Sequence, residues 1–162
     1  MVGKGSESEE TDYTDLNNEI FKLFNDIRLN PEKYEHSVDS RLRSTLRKII
    51  DERVDAILWS NKGYEVAFDY LNSIEERNIP TAEISNYLTN AFNSSSRDDE
   101  QSQLLILSHF GQHDSSTLFT LLAENLAEGK RALSDSFAYG FVCSISVSNK
   151  EERTILCLAK KQ

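Results

Sequence analysis

Apolar residues in the first half of the chain recur at helical spacing. Leu16, Ile20, Leu23, Phe24 and Ile27 form one stripe of a helix capped by Thr14 or Asp15. The helix ends at Asn30, because Pro31 drives the residue before it out of the α region. Leu42, Leu46, Ile49, Ile50, Val54 and Ile57 predict a second long helix over 38–59. After the break at Ser60-Asn61-Lys62-Gly63, Val66, Ala67, Tyr70, Leu71 and Ile74 mark a third. Thr81 starts a fourth, with Ile84, Tyr87, Leu88, Ala91 and Phe92 on one stripe.

The pattern changes in the second half. Residues 93–103 are a polar loop, and Leu104 to Leu107 return the chain to the interior. A tight, irregular segment with His109, Gly111 and His113 leads to a short helix through Leu118, Leu121 and Leu122. From Phe137 to Ser148 apolar positions alternate with Ala138, Gly140, Val142, Ser144 and Ser146, the period of a strand with one packed face. A loop at 148–152 turns it into a hairpin whose return strand is Thr154 to Ala159. A loop symmetric about Lys150 would set Cys143 opposite Cys157 and Ile145 opposite Ile155. Bridging directly opposed strand positions is strained, so two reduced, buried thiols are expected.

Composition narrows the function classes. A chain of 162 residues with 38% hydrophobic content suits one cored domain. Residues 1–14, acidic and poor in apolar side chains, read as a flexible tail, and 15–162 as the domain. The formal net charge of -9 argues against nucleic-acid partners and anionic membrane surfaces, which reward clustered Lys and Arg. No apolar run resembles a signal peptide or a membrane span, so an intracellular, cytoplasmic location without membrane insertion is expected. Two cysteines suit a reducing compartment. The locally basic set Arg41, Arg43, Arg47, Lys48 and Arg53 reads as a solvated helix face, since Asp51, Glu52 and Asp55 dilute it.

Asn25 and Arg28 flank the first apolar stripe, and residue chemistry allows two roles. Either they tie the helix to the turn at 30–34, or they are solvated. His36 reads as a surface residue beside that turn.

The segment NEIFKLFNDIRLNPEKY (18–34) resembles the opening of the CAP superfamily, which unites cysteine-rich secretory proteins, antigen 5 and pathogenesis-related-1 proteins. Asn25, Arg28, Asn30, Pro31 and Tyr34 carry the match. Residues 63–92 are similar to its paired helices, SHFGQHDSST to its Ser-His-Thr-Gly segment, AENLAEG to its Gly-Glu-Asn motif, and the last hairpin to its closing strands. The resemblance implies an α+β fold, a three-layer α-β-α sandwich around a small antiparallel sheet. It also implies a cleft in which two His and two Glu can bind a divalent metal.

His109 matches the first of those His and Glu124 the first Glu. The stretch 129–136 that should supply the others holds no His and leaves no room for a further helix. His113 lies four residues after His109, but Phe110 replaces the Glu of a zinc-protease helix and Gly111 opposes helix formation. Two ligands are too few for a firm zinc site. No Gly-x-Ser-x-Gly elbow or phosphate loop occurs. Ser115 and Ser116 beside His113 and Asp114 read as helix caps rather than a triad.

The expectation is a non-enzymatic domain with vestigial His109 and Glu124, no cofactor, and protein partners in a larger intracellular assembly such as a cytoskeletal or ciliary complex. A small lipid or sterol ligand is the alternative, and a metal-dependent hydrolase ranks third.

Overall fold

A computed structural model describes residues 13–73, 79–93, 104–111, 114, 116–148 and 151–160. Most of the expected tail, most of the loop at 93–103, and His113 and Ser115 lie outside the described residues. The elements are α1 (Thr14–Leu29), two 3-10 turns (Pro31–Lys33 and Ser40–Leu42), α2 (Arg43–Glu52), β1 (Leu58–Trp59), α3 (Asn61–Ser73) and α4 (Thr81–Asn93). The second half adds β2 (Leu104–Gly111), α5 (Thr117–Glu124), α6 (Leu126–Ser134), β3 (Tyr139–Ser148) and β4 (Glu151–Ala159). The chain is α+β.

The sheet runs β1-β3-β4-β2 and is mixed rather than antiparallel: β1 lies parallel to β3, while β3–β4 and β4–β2 are antiparallel. The two interior strands, β3 and β4, are buried on both faces, whereas the alternation predicts one packed face for β3. On one face Leu107, Val142, Leu156 and Leu158 join Phe24 and Ile27 of α1, Leu46 and Ile49 of α2, Leu121 of α5 and Leu133 of α6. On the other, Ile106, Phe141, Cys143, Ile155 and Cys157 pack on Ala67 and Leu71 of α3 and Ile84 and Leu88 of α4. Tyr87 leaves its predicted stripe, stays 44% exposed and stacks on Tyr70 with ring centroids 3.9 Å apart.

Five further expectations are corrected. The helix at 38–59 covers only Arg43–Glu52, because Arg53 takes φ 41 and the chain then extends to join the sheet as β1. Val54 and Ile57 fit a helical spacing by coincidence. The first helix begins at Thr14 with no side-chain cap, so neither Thr14 nor Asp15 caps it. The segment around His109 is strand up to Gly111, and a helix, α6, does form at 126–134. The hairpin register is shifted: Cys157 faces Phe141 and Cys143 faces Ile155, with a bulge between Ser146 and Ser148. Both thiols are free and buried, and burial pushes the Cys143 thiol up to about 12.

The basic side chains of 41–53 sit in surface contacts. Arg41 pairs with Asp39, Arg47 with Glu35 and Arg53 with Glu32, and Arg43 donates to the Glu35 carbonyl. Such exposed pairs contribute little stability.

Candidate functional site

Strand β2 carries His109 on the same sheet face as Leu105 and Leu107, since side chains two apart share a face. Helix α5 packs on β2, and its last residue is Glu124. The two sequence-predicted residues therefore meet: His109 Nδ1 lies 2.7 Å from Glu124 Oε1. The imidazole is 11% exposed and the carboxylate 52%, so the ring is covered while its partner faces water. The carboxylate orients the ring and favours a proton on Nδ1.

Two neighbours hold this geometry. Asn125 Nδ2 donates to the carbonyls of Ser108 and Leu121, tying the end of α5 to the strand beside His109. Gly111 has φ 146, and a Cβ there would lie 3.0 Å from His109 Nε2. Glycine thus leaves the ring its place over the strand end.

A polar row crosses the sheet from this point. Thr154 of β4 faces His109, and Ser144 of β3 faces Thr154. Ser144 Oγ lies 3.4 Å from Thr154 Oγ1 and donates to Asn17 Oδ1 of α1 at 2.6 Å. Asn17, Ser144 and Thr154 are all buried, on a face otherwise lined by Leu and Val. In the sequence Ser144 falls in the polar phase of β3's alternation and Thr154 heads an otherwise apolar run, so neither signals burial, while Asn17 lies one turn before Phe21.

Beyond Glu124, α6 packs back against α5. Gly129 sits where α6 crosses α5, and a Cβ there would lie 2.7 Å from the Leu122 carbonyl oxygen. We expect Gly129→Ala to lower stability by about 1 to 3 kcal/mol, measured by urea unfolding, because backbone must move to admit the methyl. Arg131 pairs with Asp135 at 3.5 Å. Among the described residues no group of three or more His, Cys, Asp or Glu converges as a metal site. His36 is exposed at the turn, as read from sequence.

Asn25 and Arg28 are tied down, but not to the turn at 30–34. Asn25 pairs with both backbone groups of Ile57, accepting at 2.8 Å and donating at 2.9 Å, as a neighbouring strand would. Arg28 is fully buried and donates to the carbonyls of Ala132, Leu133, Asp135 and Asp55. Asp26 holds the turn instead, through Asn30, Lys33 and Tyr34. Those contacts, Tyr34 first, keep the Asp26 carboxyl below its ordinary pKa.

No family model matches the chain, and no curated protein or solved structure does.

Proposed function

We propose that this chain is a CAP-like binding module without catalytic activity, a protein subunit of a larger intracellular assembly. The observation that carries the reading is the closed His109–Glu124 pair. Glu124 occupies Nδ1 of a covered ring, Asn125 and Gly111 serve that packing, and α6 brings Gly129 and Leu133 into the interior. Apolar clusters with helices on both faces of the sheet support the sandwich that the resemblance implies. Among the described residues no helix is long and apolar enough to cross a membrane.

Zinc titration of the purified chain, followed by calorimetry at neutral pH, tests the site. The expected result is no stoichiometric binding, with His109→Ala lowering unfolding stability by about 1 kcal/mol through its lost hydrogen bond. One tightly bound zinc per chain, lost in His109→Ala, would overturn the reading in favour of metal chemistry. The partner expectation is tested by native mass spectrometry of the tagged chain recovered from its own cells. A protein complex of fixed stoichiometry is expected; a bare monomer, or a monomer carrying lipid, counts against it.

A further inference from the structure

Two side chains at the start of α1 reach the sheet: Tyr13, just before its first turn, and Asn17, at the end of that turn. The N-cap residue Tyr13 makes no side-chain cap hydrogen bond, and the backbone begins with the bond from Asn17 N–H to the Tyr13 carbonyl at 2.8 Å. The Tyr13 hydroxyl reaches across to the turn end of the β3–β4 hairpin, a contact between residues 133 and 139 positions apart. Its single proton goes to Glu152 Oε2 at 3.1 Å, which leaves Ser146 Oγ, at 3.0 Å, to donate to the phenol oxygen. Beneath this contact lies the buried row of Asn17, Ser144 and Thr154.

The sequence around Tyr13 is acidic, with Glu9, Glu10 and Asp12 before it and Asp15 after it. Substrate-binding sites lined by Lys and Arg recognise such a context by charge complementarity. We propose that Tyr13 is a phosphorylation site, and that its modification releases the first turn of α1 from the hairpin. The γ-phosphoryl group of ATP passes to the phenol: the bond from Oη to phosphorus forms and the bond from phosphorus to the ADP oxygen breaks. ADP leaves with that electron pair, and the phenolic proton goes to the kinase base and then to solvent.

The product cannot keep the latch. The phenol's only donor is gone, so Glu152 loses its hydrogen bond, and a group of about two negative charges now stands beside the Glu152 carboxylate. Like charges at this distance repel, so the contact that fastens Tyr13 to the hairpin is lost. Release uncovers Ser146 and Glu152 and opens a path to the polar row. This inference stands on Tyr13 and the hairpin, independently of the assembly role proposed above.

The test uses the full chain in two arms. In the first, phosphotyrosine is placed at position 13 by genetic-code expansion, and hydrogen exchange is followed at the Asn17 amide. Exchange roughly tenfold faster than in the unmodified chain is expected, with Tyr13→Phe close to the modified form, since both lack the donor. Glu152→Gln on the phosphorylated chain removes the repulsion and should recover part of the protection. Unchanged exchange in the phosphorylated chain overturns the proposal. In the second arm, the folded chain is treated with ATP and a tyrosine kinase that prefers acidic sequences. Mass mapping is expected to place phosphate on Tyr13. Label confined to Tyr34, Tyr64, Tyr70, Tyr87 or Tyr139, or no label, overturns it.

Discussion

Arg28→Ala is expected to lower the free energy of unfolding by about 3 to 5 kcal/mol, a large share of a small domain's total stability. The guanidinium joins three segments far apart in sequence. Nη1 donates to Ala132 and Leu133, carbonyls in the last turn of α6, and to Asp135 just beyond it, while Nη2 reaches Asp55 ahead of β1. Carbonyls at a helix C-terminus have no partner in the helix itself and carry partial negative charge, so a cation there satisfies both needs. Burial pulls the Arg28 pKa down to about 10, opposed by the charges of Asp135 and Asp55, so the group stays charged at neutral pH. Alanine removes the charge, leaves four carbonyls to find other donors and opens a cavity against Phe24, whose ring centroid lies 6.0 Å from the guanidinium carbon. Arg28→Lys keeps the charge, but one ammonium cannot serve carbonyls on two sides at once. It should recover less than half of the loss. Guanidinium unfolding followed by circular dichroism reads both variants; a loss under 1 kcal/mol in Arg28→Ala would show that water replaces the guanidinium at little cost.

Arg153→Ala is expected to cost about 2 to 4 kcal/mol and to loosen α4 before the rest of the fold. Arg153 is buried within β4 on the face that α3 and α4 cover. Nε donates to Ser108 Oγ at 2.8 Å, Nη1 to the Ile79 carbonyl at 2.6 Å and Nη2 to Thr81 Oγ1 at 3.1 Å. Its guanidinium carbon lies 4.6 Å from the centre of the Phe110 ring. Ile79 and Thr81 flank the start of α4, so this one side chain fixes where that helix meets the sheet. Burial lowers the Arg153 pKa, and the hydrogen bonds to Ser108, Ile79 and Thr81 together with the Phe110 ring contact stabilise the buried guanidinium. Hydrogen exchange should show early loss of protection across 82–92, while β3 and β4 amides exchange only with global unfolding. Uniform loss across all elements would refute the local role.

The stripe of α1 and the strand character of β3 were legible in the sequence, because periodicity of 3.6 or 2 marks the element even though packing buries both faces of β3. His109 and Glu124 were legible as a pair through the resemblance of two short motifs. Their contact depended on β2 continuing as strand to Gly111, which a segment of Ser, His, Phe and Gly does not announce. Val54 and Ile57 misled for a related reason: their spacing fits a helix, but Arg53 at φ 41 ends it, and Asn25 captures the backbone of Ile57. Spacing carries no information about such a capture.

Arg28 and Arg153 mark the boundary between the two kinds of knowledge. Each is a polar residue beside an apolar stripe, where solvation is the ordinary outcome. Their partners are mostly backbone carbonyls, which every residue has, and those of Arg28 in α6 lie 104 and 105 positions away. No side-chain pattern records such a bond. By itself, then, the sequence determined the elements whose apolar faces repeat and the residue types available at His109 and Glu124. Tertiary structure alone decided which polar groups were buried, because burying a charge is tolerated only where packing has already brought acceptors together.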